Sequence, residues 1–109
     1  MSQAPLQTEA HDAMERLRAG TAWLVDVREH AEVARAAFDA PRVVNIPMSE
    51  FEARREELPR DQDLIFACAG GGRSFQVMQY VIHHGYTRVS NLQGGIGFWH
   101  ASGLPVKTG

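Results

Sequence analysis

Cys68-Ala-Gly-Gly-Gly-Arg-Ser74 decides how this chain is read. The apolar run Leu64-Ile-Phe-Ala67 precedes it and an apolar-periodic segment begins at Phe75, so the order is strand, tight glycine loop, helix. Consecutive glycines let the backbone fold inward until several N–H groups face one point, and the following helix adds the positive end of its dipole there. Cys68 is the single cysteine of the chain. A thiol in such a place loses its proton easily, with the ordinary pKa of about 8.5 falling to roughly 3.5–7.5 at helix N-termini. The stretch therefore predicts a nucleophilic thiolate facing an anion-binding cradle. The competing reading, a cysteine that merely fills space, suits an ordinary loop better than three glycines followed by Arg73 and Ser74.

Working outward, the flanks alternate between strand and helix. Thr8 is the expected N-cap of a first helix with Ala10, Met14 and Leu17 on one face and Gly20 at its end. Trp23-Leu-Val-Asp-Val27 suits a buried parallel strand, and the alanine-rich Glu29–Ala37 a short helix stopped before Pro41. Val43–Ile46 reads as a strand closed by Pro47, and Ser49 with Glu52 as a capping box. Behind the glycine loop, Phe75, Met78 and Ile82 follow helical spacing with Val81 alongside; Gly85 ends that helix, with His83 and His84 complementing its C-terminus. Val89–Leu92 is a further strand. Gly94-Gly95 is a hinge into a last helix carrying Phe98 and Trp99, which with Trp23 are core candidates.

This pattern predicts an α/β fold: three layers, with a mostly parallel central sheet of about five strands and helices on both faces. With 109 residues the expectation is one domain over 1–109. In such sheets ligands bind beyond the carboxyl ends of strands. Asp26-Val-Arg28 and Cys68 both fall there.

Bulk properties narrow the chemistry. A net charge of −2 gives no electrostatic reason to expect nucleic acid or an acidic membrane as partner. A single cysteine excludes an internal disulfide, a Cys-x-x-Cys pair and a resolving cysteine in the same chain. The five histidines show no metal-ligand spacing, so no metal is expected. No run approaches the ~18 apolar residues of a membrane span. The first residues show no basic and apolar leader, which points to a cytoplasmic protein.

Arg73 in a first helical turn opposes the dipole and wants another reason to be there. It either binds the anionic end of a substrate or pairs with a carboxylate such as Asp26. Asp26 either accepts from loop N–H groups or supports the chemistry, with Arg28 beside it. Ser74 reads as a capping hydroxyl that also reaches the sulfur.

These residues resemble a known family. Cys68-Ala-Gly-Gly-Gly-Arg-Ser74 resembles the rhodanese loop C-x-x-G-x-R-S, and Leu24-Val-Asp-Val-Arg-Glu29 its L-x-D-V-R-E segment. Asn45-Ile-Pro47 resembles its N-I-P. Gly85-Tyr-Thr-Arg-Val-Ser-Asn-Leu-Gln-Gly-Gly95 and Trp99…Gly103-Leu-Pro105 are similar to its C-terminal pattern. One segment departs: the usual G-H-I-P-G-A is here Phe38-Asp-Ala-Pro-Arg-Val43, and only the proline survives. The basic residue that many sulfurtransferases carry after the cysteine is Ala69.

The resemblance implies a rhodanese-like fold and a sulfurtransferase that moves a sulfane sulfur from a donor such as thiosulfate to cyanide or a thiol through a Cys68 persulfide. It implies Ala69, Gly70, Gly71, Gly72, Arg73 and Ser74 as the active-site loop, Asp26 and Arg28 as support, and no cofactor. The partners are then a small anionic sulfur donor and a thiol or protein-cysteine acceptor. Four residues separate Cys68 from Arg73, where related phosphatases have five and a wider cradle. That spacing favours sulfur transfer over phosphatase or arsenate reductase chemistry. A non-catalytic module that binds a partner or senses thiols is the other alternative.

Overall fold

A computed structural model describes residues 6–109. In chain order the elements are β1 (Gln7–Thr8), α1 (Ala10–Ala19), β2 (Ala22–Asp26), α2 (His30–Arg35), β3 (Ala36–Phe38), β4 (Val43–Asn45), α3 (Phe51–Arg54), β5 (Asp63–Ala67), α4 (Gly72–His83), β6 (Val89–Leu92), α5 (Gly95–Ala101) and β7 (Val106–Thr108). Single 3-10 turns flank α3.

Five strands form one parallel sheet in the order β1-β6-β5-β2-β4. The central strands β2 and β5 are apolar almost throughout because helices cover both faces. Val25, Leu64 and Phe66 point into a core with Phe51, Val77, Met78 and Val81 from α3 and α4. Leu24, Ile65 and Ala67 point the other way, into a core with Ala13, Met14, Leu17 and Trp99 from α1 and α5. Each fully buried Val, Leu, Ile, Phe or Met among them contributes about 1.5–3 kcal/mol. The expected three-layer α/β architecture is present. Among the described residues, no helix is long and apolar enough to cross a membrane.

Several local expectations are corrected. Thr8 is not a helix cap: it belongs to β1, where its hydroxyl meets that of Ser90 at 2.6 Å, and Glu9 is the N-cap. The helix expected over Glu29–Ala37 stops at Arg35, because the next residues pair antiparallel with β7 as a small second sheet. Ser49 and Glu52 form no capping box; the Ser49 hydroxyl donates to the Glu29 carboxylate at 2.6 Å. On α4 the buried face is Ser74, Val77, Met78 and Val81, so Phe75 and Ile82 are exposed. Of the three aromatic core candidates, Trp99 is fully buried, Trp23 half-buried and Phe98 exposed.

Arg42 stands where the resembling family has its second glycine, and it holds the left-handed backbone that a glycine would, with φ 59°. Its side chain compensates. The guanidinium lies 4.2 Å from the Trp23 ring centre, and its Nε donates to the Ala22 carbonyl at 2.9 Å.

Candidate functional site

The parallel register sets the site. Asp26 pairs with Ala67, so the chain leaves β2 and β5 at the same sheet edge, and Cys68 is the next residue. The segment 68–71 turns sharply, and Gly71, at φ 105°, becomes the N-cap of α4. A residue with a Cβ is strained in that conformation.

This turn wraps backbone donors around the sulfur. The N–H of Gly71 donates to Cys68 Sγ at 3.0 Å and that of Ser74 at 3.4 Å, with the Ser74 hydroxyl at 3.3 Å. Cys68 is only 1% exposed, and burial pushes its thiol up. The hydrogen bonds from the Ser74 hydroxyl and from the N–H groups of Ser74, Gly71 and Gly70 outweigh that penalty, and the thiol lies below its ordinary value. The outer side of the glycine turn, with Phe75, Gln76 and Gln93, lines a cleft of about 530 Å³.

From the other side, α5 holds the loop by its carbonyls. Ile96 N–H donates to the Cys68 carbonyl at 2.9 Å and Gly97 N–H to that of Ala69 at 3.1 Å. The donors of Gly71 and Ser74 therefore face the sulfur while two loop carbonyls are occupied elsewhere.

Arg73 pairs with a carboxylate, one of the two readings weighed from the sequence, but with Glu32 and not Asp26. It forms a two-pronged ion pair with Glu32 of α2, both N–O distances being 2.8 Å. The Arg73 guanidinium holds the Glu32 carboxyl down at about 2, and Glu32 in turn raises Arg73. Asp26 is claimed by Arg28, at 2.8 Å in a nearly fully buried pair. Arg28 also donates to the Ala36 carbonyl at 2.8 Å. Asp26 and Arg28 thus brace the junction of α2 and β3, the platform that carries Glu32. Ser74 lies within the first turn of α4, not at its N-cap.

Two residues of the site were not singled out from the sequence. Glu32 sits where it accepts the N–H of Glu29 at 3.0 Å, an ordinary first-turn role that hides its bond to Arg73. Asn91, 3% exposed on β6, accepts the Ser74 hydroxyl proton at 2.5 Å and donates to the Gly71 carbonyl at 3.1 Å. An amide buried beside Leu92 in the short strand Val89–Leu92 is its signal.

Comparison with known proteins agrees with this fold. The rhodanese-like domain family matches residues 7–102. A sulfurtransferase of Allochromatium vinosum is 41% identical over 83 residues, which cover 76% of each chain. The thiosulfate sulfurtransferase GlpE of Actinobacillus pleuropneumoniae is 28% identical over 109 residues, covering 99% of this chain and 98% of that one. Among solved structures, a rhodanese-related protein of Thermoplasma volcanium superposes with a TM-score of 0.82 at 29% identity, covering 93% of this chain and 96% of that one.

Proposed function

Because this chain belongs to the rhodanese-like domain family, we propose that it is a sulfurtransferase whose Cys68 carries one sulfur atom as a persulfide. The observation that supports this most is the convergence of the Gly71 and Ser74 N–H groups on one sulfur, at 3.0 and 3.4 Å.

The cycle has two displacements. The Cys68 thiolate attacks the outer sulfur of a sulfane donor, and its electron pair forms a new S–S bond. The donor's own S–S bond breaks, and those electrons leave with sulfite or with a thiolate. The outer sulfur of the new persulfide carries a negative charge that the loop N–H groups stabilise in place. A nucleophile, cyanide or an acceptor thiolate, then attacks that outer sulfur and returns Cys68 as thiolate. One cysteine suffices, and the cycle asks for no metal or organic cofactor. A thiol or a protein cysteine of the cytoplasm is the acceptor we favour.

Charge points to the class of donor. The Arg73 guanidinium already faces Glu32, and Arg28 already faces Asp26. Ala69 adds no cation. Thiosulfate, a dianion, gains little at such a rim, whereas the persulfide of a small thiol brings a single negative charge. Persulfides are therefore the better donors.

Intact mass spectrometry tests the reading. Exposure to a small-thiol persulfide is expected to add one sulfur to the chain, removable by cyanide and absent in Cys68→Ser. Thiosulfate is expected to load the protein more slowly. No adduct from either donor would sink the catalytic claim, and faster loading by thiosulfate would sink the donor preference.

A further inference from the structure

The Ser74 hydroxyl has one proton and three acceptors around it. Asn91 Oδ1 lies at 2.5 Å, while Cys68 Sγ and the Gly71 carbonyl lie at 3.3 Å. The Asn91 amide has only one workable orientation. Its Nδ2 must face the Gly71 carbonyl, 3.1 Å away, because an oxygen there would oppose an oxygen; Oδ1 is therefore left facing Ser74. Both side chains are buried, Ser74 at 0% and Asn91 at 3% exposure, so water does not take over either bond. The distance to Asn91 is at the short end for O–H···O, and that to sulfur is ordinary. With a neutral thiol, the proton sits on the side of Asn91.

We infer that Asn91 is a positioning residue for the thiol: it holds the Ser74 O–H while the sulfur is neutral and yields it to the sulfur as negative charge develops there. The inference rests on the reading of Cys68 as the reacting group. No proton leaves Ser74 in this exchange; the hydroxyl rotates about its C–O bond. A charge-assisted bond to a thiolate is about twice as strong as a neutral one, enough to compete with the amide oxygen. Meanwhile Asn91 Nδ2 keeps the Gly71 carbonyl fixed, so the Gly71 N–H stays aimed at the sulfur throughout. Asn91 thereby opposes ionisation slightly while securing the loop, and the two effects on the thiol have opposite sign.

That opposition calls for a test in two backgrounds, with and without the Ser74 hydroxyl. Among charged groups Arg73 on α4 interacts with Cys68, and the neighbouring elements carry Asp26 at the end of β2, Arg28 beyond it, and Glu29 and Glu32 at the start of α2; β6 has none and α5 only His100 in its last turn. These are unchanged in variants at positions 74 and 91. The thiol pKa is read from ultraviolet thiolate absorbance against pH, which requires no sulfur donor and is independent of whether wild-type protein accepts sulfur. Asn91→Leu removes the acceptor and the Nδ2 donor together, so it is made both in the wild-type chain and in Ser74→Ala, where only the loop-securing effect is left to lose. The Cys68 pKa is expected to move about half to one unit lower on Asn91→Leu with Ser74 present than in Ser74→Ala, about a three- to tenfold difference in thiolate fraction. A merely structural role would give the same shift in both backgrounds. Equal shifts, or a lower one in Ser74→Ala, in the folded variants overturn the inference.

Should Asn91→Leu not fold, the wild-type protein answers by NMR. The Asn91 side-chain amide signals are expected to move with the titration of Cys68, and much less so in Ser74→Ala. An amide that ignores the titration, or one that responds equally in Ser74→Ala, overturns the inference.

Discussion

The Cβ that Gly95 lacks would lie 2.4 Å from the carbonyl oxygen of Cys68 and 2.6 Å from that of Ala69. Both obstacles are backbone, so neither can swing aside, and Gly95 itself has φ 60°. The close approach is what lets Ile96 and Gly97 donate to those same carbonyls. Gly95→Ala is expected to push the glycine turn outward and spoil the aim of its N–H groups. We expect sulfur transfer to fall by about 10²-fold, the scale on which loss of one preorganised donor costs an active site. Single-turnover loading of Cys68 measures this; loading within twofold of wild type, on the same ~10²-fold scale, would refute it.

Glu32 predicts an acid-sensitive contribution to stability. Its carboxyl is lowered from the ordinary 4.5 to about 2, first by the Arg73 hydrogen bonds. Protons therefore bind the unfolded chain more readily than the folded one between these values. The stabilisation is complete above pH 4.5 and is lost as pH falls toward 2. Partial solvent exposure of the pair reduces its worth to about 1 kcal/mol. Denaturant midpoints followed down through this window are expected to fall less steeply in Glu32→Gln than in wild type. Identical slopes would show that the pair contributes nothing.

Arg42 separates backbone strain from side-chain contacts. Arg42→Ala keeps the left-handed backbone yet loses the Trp23 stacking and the bonds to the Ala22 carbonyl and to Gln62. Arg42→Gly loses the same contacts and relieves the strain, worth about 1 kcal/mol. The glycine variant is expected to unfold at higher urea than the alanine variant. The reverse order would mean that position 42 is not held at positive φ.

Trp99 anchors α5 from within the core. It is fully buried, its ring meets Phe38 edge-on at 5.1 Å, and its Nε1 donates to the Pro105 carbonyl at 2.8 Å. Trp99→Ala is expected to cost about 3–5 kcal/mol by opening a large cavity. A loss below ~1 kcal/mol in calorimetry, far under that range, would show that α5 is held by other contacts.

Element types were legible wherever one local rule dominated. The runs around Leu24 and Leu64 are apolar because both sheet faces are covered, and Gly20 and Gly85 mark helix ends because both take positive φ. Misreadings arose where a distant partner outbid the local rule. Thr8 and Ser49 have capping chemistry, but Ser90 and Glu29 claim their hydroxyls. β3 and β7, three residues each, carry no signal apart from one another. The sulfur and its donors follow from consecutive residues and were readable. The partner of Arg73 lies 41 residues away, and that of Ser74 lies 17 away, at distances no periodicity reports.

The β3–β7 ribbon ties the site to a remote stretch of chain. Ala36 of β3 follows α2 directly, and its partner is Thr108; the Gly109 N–H reaches the Arg35 carbonyl at 3.3 Å. Tension applied at residues 106–109 would therefore be transmitted along α2 to Glu32, and through its bond to Arg73 into the turn around the sulfur, without first straining the central sheet. Mechanically the glycine loop hangs from two cords, α5 on one side and the β3–β7 ribbon on the other, and the two are joined in the core where Phe38 meets Trp99.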